Sequence, residues 1–355
     1  MRLKSILVCA ALLFCACLRD DNFKQTYISY LPANIGDDWM LSTPQNQNID
    51  SEKLDQAFRL LYADDRFMMA RSLLVFRNGY LVAEVYPANP KDIDAIYNIQ
   101  SCTKSVTAII AGIAVEDGLI TDLDEKLFDI FPGHFDQDIS KRSITIKDAL
   151  TMRTGLEFNN SIHTQHLYQH KGSSIEYVLS RKKIHPSGTV MNYNDGAPHL
   201  VSKVIESKTG MSMEEYAAQK LFKPLNIAEW KWERSKDGTT YGAFSLYLKP
   251  RDFGKIGQLL LKKGNWQGQQ IIDGQYLEEA TGIQVSANFN NEPYGYYFWI
   301  LPADSAYAAY GHGGQFLLVA PEKDLVVVYT AWPYTSSEFF DQKNEMISLI
   351  LQSCN

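Results

Sequence analysis

A serine and a lysine three residues apart are the first residues of this chain whose types and spacing could do chemistry. Ser101 and Lys104 stand just before a nearly all-apolar run at 106–115, which is typical of a buried helix. Residues at i and i+3 share a helix face, so the lysine amine can approach the serine oxygen. A serine hydroxyl becomes nucleophilic when a neighbouring base accepts its proton. The spacing predicts a nucleophile at Ser101, and the short motif needs support from elsewhere in the chain.

Two later segments supply groups that such a nucleophile needs. Tyr193 and Asp195 flank one residue, and a phenolate stabilised by a nearby ammonium can act as a base. A glycine pair follows His312 and precedes Gln315 at the start of an apolar run. Glycines let the backbone pass close to a ligand, so the N–H group of Gln315 could face an oxyanion. Together the segments predict acyl-transfer chemistry.

In this order and spacing the three segments resemble the S-x-x-K, Y-x-N and Lys/His-x-Gly motifs of the serine β-lactamase and penicillin-binding-protein superfamily. The resemblance is to its class C-related hydrolases, of the esterase and 6-aminohexanoate-oligomer hydrolase type. It extends over about residues 50–350, and the segments 145–156 and 246–252 support it. It implies an exported serine hydrolase that cleaves an ester, amide or peptide through an acyl-enzyme, with no metal or organic cofactor.

The resemblance also implies a role for each residue of the three segments. The implied catalytic residues are Ser101, Lys104 and Tyr193. The implied oxyanion donors are the backbone N–H groups of Ser101 and Gln315. The implied substrate-binding residues are Asp195, His312, Gly313 and Gly314.

One residue departs from the family pattern, because Asp195 stands where the family has asparagine. An asparagine amide can donate and accept hydrogen bonds, whereas an ionised carboxylate only accepts. Paired with Lys104, the carboxylate would favour the ammonium form of the lysine, so that Tyr193 becomes the better base. The missing donor also lowers the expectation of β-lactam hydrolysis. A shifted register of the motif is the alternative, and the principal base stays open between Lys104 and Tyr193.

Two other functions remain compatible with the same motifs. A D-alanyl-D-alanine carboxypeptidase or penicillin-binding protein would keep the chemistry and change the substrate. A non-catalytic binding protein would keep only the scaffold, and Asp195 is the residue that favours it.

Composition excludes some classes of partner. The chain has 355 residues, 45% of them hydrophobic, which suffices for a large core or two lobes. Its formal net charge is −7 and it has no basic run, which argues against nucleic-acid binding.

The first residues have the layout of a secretion signal. Arg2 and Lys4 precede an apolar run at 6–17, which is too short to span a bilayer as a helix. Ala16 before Cys17 resembles the processing box of bacterial lipoproteins, in which the cysteine is lipidated. The sequence therefore predicts a signal at 1–17, a linker at 18–50 and a lipid-anchored protein in the periplasm or at the cell surface. An ordinary cleaved signal is the alternative.

Apolar runs predict strands near both ends of the chain and helices between them. An Asn-Gly pair at 78–79 separates apolar runs at 72–76 and 80–86, which is a strong hairpin signal. Further strands are predicted at the end of the chain, followed by a terminal helix at 337–352; these strands are 296–300, 315–320 and 325–330. The predicted fold is α+β, with an antiparallel sheet built from both chain ends.

The resemblance and the predicted elements together place one hydrolase domain at 51–355. Its α/β lobe comprises about 51–116 and 237–355, and a helical lobe comprises about 117–236.

The remaining cysteines and histidines predict no further site. Cys102 and Cys354 are too few for a disulfide framework, and Cys102 is expected to point into the core. Three histidines are spaced to share a helix face as metal ligands, at 163, 166 and 170. They lack an acidic or cysteine partner nearby, so no metal site is predicted. His199 lies in an apolar run and is expected in the core.

Overall fold

The computed structural model of the chain describes residues 24–286, 292–333 and 338–354. The predicted signal at 1–17, with Cys17, lies outside the described residues. Within the described ranges the α-helices are α1 (Ser51–Ala63), α2 (Cys102–Glu116), α3 (Leu127–Ile130), α4 (Ile146–Leu150), α5 (Asn160–Gln169), α6 (Ser174–Leu179), α7 (Gly196–Thr209), α8 (Met213–Ala217), α9 (Pro250–Leu261), α10 (Gly274–Ala280) and α11 (Glu338–Ser353).

The strands of the same ranges form one large and two small sheets. They are β1 (Ala70–Arg77), β2 (Tyr80–Val85), β3 (Tyr97–Asn98), β4 (Trp230–Trp232), β5 (Leu246–Leu248), β6 (Asn265–Trp266), β7 (Gln269–Gln270), β8 (Trp299–Leu301), β9 (Ala306–Tyr310), β10 (Phe316–Ala320) and β11 (Leu325–Ala331).

The large sheet is antiparallel and joins the two ends of the chain. Its strand order is β2-β1-β11-β10-β9-β8. β1 and β2 form the predicted hairpin, with positive φ at both Asn78 and Gly79, as a two-residue turn of this kind requires. β1 also pairs with β11 in the register Leu73↔Tyr329. The predicted α+β fold, with strands from both chain ends around a helical insertion, is confirmed.

Helices cover both faces of this sheet. On one face α1 and α11 pack over the strands, with Phe58 and Met346 fully buried. On the other face α9 lies so close to the strands that a Cβ on Gly254 would come within 2.4 Å of the Phe76 ring. A Cβ on Gly257 would likewise come within 2.5 Å of Val326. Small residues on α9 therefore set how near the helix lies to the sheet.

Helix α2 runs between the sheet and the helical part of the chain. Its residues from Cys102 to Ala114 are all buried, as the apolar run predicted. It packs against α7, α8 and α10, so its first turn lies where the two parts of the molecule meet.

One predicted strand differs from the structure. The strand predicted at 296–300 begins only at Trp299, because Tyr297 has a left-handed backbone with φ of 61°. In the segment 145–156, Thr145 caps α4, which ends at Leu150, and Met152 then has φ of 60°. Strand β9 was not predicted at all, since its small alanines give no apolar alternation.

The segment predicted as a linker is attached to the domain where the structure describes it. Residues 24–50 follow the open edge of the sheet, where Leu41 forms a parallel bridge with Leu81. The Glu84 N–H group donates to the Tyr30 carbonyl at 2.7 Å. The segment thus covers the exposed edge of β2, which would otherwise present unpaired backbone groups.

Candidate active site

Ser101 stands at a tight connection between β3 and α2. The preceding residue, Gln100, has a left-handed φ of 53°, and its N–H group donates to the Asn98 side chain at 2.8 Å. Ser101 occupies the N-cap of α2, but its side chain makes no capping hydrogen bond. Its hydroxyl is therefore available to the neighbouring lysine.

Lys104 lies one turn further along α2 and is only 1% exposed. Its Nζ donates to Ser101 Oγ at 2.8 Å and to the Ala243 carbonyl at 3.0 Å. A third contact joins Nζ to Asp195 Oδ1 at 2.6 Å. An ammonium has three hydrogens to donate and no acceptor, and the Tyr193 side chain is a further hydrogen-bond partner of Lys104. This arrangement fits a charged lysine that holds the serine oxygen.

The surroundings of Lys104 also favour its charged form. Burial alone would lower the pKa of Lys104, but the carboxylate of Asp195 and the phenol of Tyr193 outweigh burial and raise it. A lysine that stays protonated supplies a fixed positive charge next to Ser101.

Tyr193 lies beside this ammonium. The Lys104 Nζ atom is 5.0 Å from the centroid of the Tyr193 ring. Trp299 packs against the same ring at 5.6 Å between centroids, and Tyr294 packs edge-on at 6.2 Å. The aromatic neighbours fix the phenol within the group formed by Ser101 and Lys104. Two of the three motif segments, remote in the sequence, therefore meet in one place.

Asp195 contacts the lysine at the motif position predicted for it. Asp195 is the N-cap residue of α7, and the side chain of the preceding residue, Asn194, accepts from the Ala197 N–H group at 2.8 Å. The geometry thus agrees with the predicted register and not with a shifted one.

Two residues of α5 hold Asp195, and the sequence analysis missed both. The Thr164 hydroxyl donates to Asp195 Oδ2 at 2.5 Å, and the Asp195 N–H group donates to Asn160 Oδ1 at 2.9 Å. Their only signal in the sequence is the unusually polar composition of the segment 159–170. Because α5 lies more than twenty residues away in the chain, no local pattern links it to the motif.

The glycine turn packs against the loop that carries Ser101. A Cβ on Gly311 would lie 2.6 Å from the Ile99 carbonyl oxygen, and Gly313 has φ of 84°. The side chain of Gln315 pairs with both backbone groups of Ala331, donating at 2.6 Å and accepting at 2.9 Å. These contacts fix the turn at the end of β11.

One backbone donor of the serine loop and one of the glycine turn have no backbone acceptor among the described residues. Among the described residues, the N–H groups of Ser101 and Gln315 have no acceptor in turns, loops or caps. Of the predicted substrate-binding residues in the turn, Gly313 and Gly314 are buried and His312 is exposed. An oxyanion hole needs backbone N–H groups that have no other acceptor, so these two N–H groups are its candidates.

Cys102 adjoins Ser101 but points away from the site. It is fully buried, and its Sγ lies 3.6 Å from the Gln315 carbonyl oxygen. Burial raises the pKa of the Cys102 thiol well above its usual range, which opposes a thiolate nucleophile. Cys102 and Cys354 are both free thiols.

The histidines of α5 and α7 do not belong to the group formed by Ser101, Lys104, Tyr193 and Asp195. His163 and His166 lie on α5, and His170 caps its end. Within the described ranges, no three His, Cys, Asp or Glu residues are grouped to hold a metal ion. His199 is buried as predicted, and its Nε2 lies 2.8 Å from Ser174 Oγ.

The β-lactamase family model matches residues 68–347, so the chain belongs to the β-lactamase family. A curated relative, an N-acetylmuramyl-L-alanine amidase of Bacillus subtilis, is 27% identical over 141 residues. This match covers 37% of the chain and 30% of the relative, so the chain matches less than a third of that protein's length.

Solved structures share the fold at low sequence identity. A Bacillus anthracis protein provisionally described as a 6-aminohexanoate-dimer hydrolase is 21% identical, with a TM-score of 0.73 over 83% of this chain and 81% of that one. A family VIII carboxylesterase is 16% identical, with a TM-score of 0.68 over 85% and 97% of the two chains. A mutant class C β-lactamase is 15% identical, with a TM-score of 0.67 over 85% and 97%. The chain has the fold of serine β-lactamases and related hydrolases.

Proposed function

We propose that the protein is a serine hydrolase that cleaves an ester or amide through an acyl-enzyme on Ser101. One observation carries this proposal: Lys104 Nζ holds the Ser101 oxygen at 2.8 Å while it is paired with Asp195 and lies beside Tyr193. A buried structural lysine needs a counter-charge, but it does not need an uncapped serine hydroxyl at the edge of a helix. This arrangement supports the assignment of Ser101 as the nucleophile.

In the proposed acylation step, Ser101 Oγ attacks the substrate carbonyl carbon. Its proton passes to Tyr193, which acts as the general base beside the Lys104 ammonium. The carbonyl oxygen becomes an oxyanion that accepts from the N–H groups of Ser101 and Gln315. The bond to the leaving group then breaks, and the leaving oxygen or nitrogen takes the proton from Tyr193.

Deacylation repeats the sequence with water as the nucleophile. Tyr193 takes a proton from the water, the water oxygen attacks the acyl carbon, and Ser101 Oγ leaves with that proton. His312 is exposed beside the glycine turn, so its position suits contact with the substrate or with this water. No step needs a metal or an organic cofactor.

Asp195 bears on the choice of substrate. Its two oxygens already accept from Lys104 and Thr164, and a carboxylate has no hydrogen to offer to a substrate carbonyl. We therefore expect simple esters and amides to be better substrates than β-lactams. The similarity to an N-acetylmuramyl-L-alanine amidase adds cell-wall amides and peptides to the substrates worth testing.

A fluorophosphonate probe tests the proposed nucleophile. The wild type should be labelled, and Ser101→Ala should not. Ser105→Ala is the matched control, because Ser105 lies on the same helix but donates to the Tyr297 carbonyl at 2.6 Å; it should be labelled like the wild type. Labelling that persists in Ser101→Ala would falsify the proposal. A folded wild type that no probe labels would instead favour the non-catalytic binding protein.

Fluorescent penicillin distinguishes the carboxypeptidase alternative. A long-lived penicillin adduct on Ser101 would favour a D-alanyl-D-alanine carboxypeptidase or penicillin-binding protein over an esterase. Rapid turnover of p-nitrophenyl esters without such an adduct supports the esterase.

We also propose that the protein is exported and anchored to a membrane through lipid on Cys17. The charged start, apolar run and Ala16-Cys17 pair support this. No helix among the described residues is long and apolar enough to cross a bilayer. Labelled fatty acid should attach to the wild type and to Cys15→Ser, but not to Cys17→Ser. Absence of label from the wild type would refute the anchor.

A further inference from the structure

A cavity separate from the candidate active site lies at the end of the sheet opposite to Ser101. It encloses about 230 Å³ between the N-terminal segment, the β1–β2 turn, α9 and the β6–β7 hairpin. Its lining residues include two tryptophans, Trp39 and Trp266, and the amide side chains of Gln258, Asn265 and Gln267. Nothing in the proposed reaction uses these residues.

The register of the strands separates this cavity from the candidate active site. Gly79 lines the cavity. It lies two residues after Arg77, which pairs with Leu325 at one end of the sheet. The Gln315 side chain is bound to Ala331 at the other end. Six residues of β11 separate the two ends, which at about 3.3 Å per residue is roughly 20 Å. A ligand in the cavity would therefore lie far from Ser101.

Two indole rings form the apolar part of the cavity. Trp39 is held in place because its Nε1 donates to the Arg251 carbonyl at 3.2 Å and its ring lies 4.3 Å from that of Phe76. Trp39 and Trp266 are both half-buried, so part of each ring faces open space. The face of an indole ring carries partial negative charge, which attracts the weakly positive C–H groups of a saturated ring.

The charged groups around the cavity are already paired with each other. Lys255 Nζ lies 3.2 Å from Asp38 and 3.1 Å from Asp252. Lys262 Nζ lies 3.1 Å from Asp324. A charged ligand would have to compete with these ion pairs, so the cavity favours a neutral one.

Neutral hydrogen-bonding groups are available in the same place. Gln258 is 7% exposed, and within the described part of the chain its Oε1 has no hydrogen-bond partner. Gln267 is exposed at the turn of the β6–β7 hairpin. A buried acceptor without a partner is costly. The Oε1 atom itself is closed off from solvent, so a ligand hydroxyl reaches it when the Gln258 side chain turns toward the cavity, and the new hydrogen bond then relieves that cost. The indole rings can contact the C–H faces of a saturated ligand ring, and the neutral amides can hydrogen-bond to hydroxyl groups at the edge of that ring.

We propose that this cavity binds one ring of a neutral saccharide. The volume of about 230 Å³ is smaller than the roughly 300–1,000 Å³ of sites for drug-sized ligands, which fits a single sugar ring and not a whole oligosaccharide. A site for one ring predicts weak affinity, with a Kd on the order of 1 mM. The proposal is independent of the reaction at Ser101.

Isothermal titration calorimetry with cellotetraose, maltotetraose and chitotetraose tests this proposal. At least one of the three should bind the wild type, and Ser101→Ala should bind it equally well. Trp266→Ala should weaken binding at least about tenfold by removing one ring face. Gln258→Leu keeps most of the side-chain volume but removes the acceptor, and should weaken binding severalfold.

Trp332→Ala is the matched control, because Trp332 is 47% exposed at the other end of β11. It should bind the saccharide like the wild type. The proposal is overturned if no tetrasaccharide binds, or if both Trp266→Ala and Gln258→Leu bind it with unchanged affinity while remaining folded by circular dichroism.

Discussion

Lys104 and Asp195 form an ion pair inside the protein, with 2.6 Å between Nζ and Oδ1. The lysine side chain is 1% exposed and that of the aspartate 10%. Replacing only one partner of such a pair strongly lowers the stability of the protein, because the remaining charge is left buried without a partner. The pair joins the start of α2 to the start of α7, and the Asp195 carboxylate raises the pKa of Lys104 against the effect of burial.

Replacing Asp195 by asparagine tests this control of charge. Asp195 contributes to raising the pKa of Lys104, so Asp195→Asn should lower that pKa. The lysine would then lose its proton earlier as pH rises, and the alkaline limit of the kcat profile should move to lower pH. Profiles of p-nitrophenyl ester hydrolysis for the two proteins provide the measurement. An alkaline limit that stays in place would show that Asp195 does not hold the charge of Lys104.

The same variant should be less stable. Because Lys104 has its pKa raised on folding, the pair stabilises the protein below the ordinary lysine pKa, and this contribution fades as pH rises through the folded value. Near neutral pH, Asp195→Asn should therefore lower the free energy of unfolding, on the order of 3 kcal/mol. Urea denaturation measures this change, and a neutral effect would contradict it.

Tyr193→Phe tests the proposed base. Removing the hydroxyl leaves the ring and its packing against Trp299 in place, so the protein should fold normally. Hydrolysis of p-nitrophenyl esters should fall at least ~10²-fold, because proton transfer then has no acceptor. Tyr294→Phe, which alters a phenol packed against the same ring, should retain most activity. Near-normal turnover in Tyr193→Phe would remove the tyrosine from the mechanism and leave Lys104 as the base.

The Thr164 hydroxyl donates to Asp195, so we expect Thr164 to influence the reaction through that carboxylate. Thr164→Val removes the hydroxyl that donates to Asp195 Oδ2 at 2.5 Å, and should cost about 1.5–3 kcal/mol of stability. It should lower kcat more than it raises KM, because the carboxylate beside Lys104 is then less firmly held. Thr164→Ser keeps the hydroxyl and should restore both properties. If valine and serine give the same kinetics, the hydrogen bond has no catalytic consequence.

His199 should make the protein sensitive to acid. Burial lowers the pKa of His199 to about 4, despite the nearby carboxylate of Asp237. Between the folded pKa and the ordinary value of 6.5, the unfolded chain binds the proton more readily, so stability rises with pH and is lost on acidification. From pH 7 to about pH 4.5 this group should cost about 2–3 kcal/mol.

His199→Gln removes the titrating group and should flatten this dependence. Chemical denaturation at the two pH values compares the variant with the wild type. His166→Gln is the control, because His166 is exposed on α5; its stability should follow the wild type. An unchanged pH dependence in His199→Gln would show that other groups dominate acid unfolding.

Much of the fold could be predicted because its signals are local. The Asn78-Gly79 turn specifies a hairpin by itself, and the apolar run after Ser101 specifies a buried helix. The strand at Tyr296 was predicted wrongly because an apolar run does not reveal the left-handed backbone at Tyr297.

The residues that meet at the candidate site could be named from short motifs, but the groups that contact them from elsewhere in the chain could not. The Ala243 carbonyl that binds Lys104 lies 139 residues away in sequence, and a backbone oxygen has no residue signature. Thr164 reaches Asp195 across 31 residues from an otherwise ordinary polar helix. Such contacts depend on how the helices pack against one another. This packing is determined by the whole sequence, so no single short pattern predicts it.

Intact-protein mass spectrometry of a quenched p-nitrophenyl ester reaction tests the acyl-enzyme most directly. We predict a mass increase equal to the acyl group, mapped to Ser101, that accumulates in the wild type and is missing from Ser101→Ala. A wild type that releases p-nitrophenol catalytically while its acyl group is found on another residue, such as Cys102, would contradict the account.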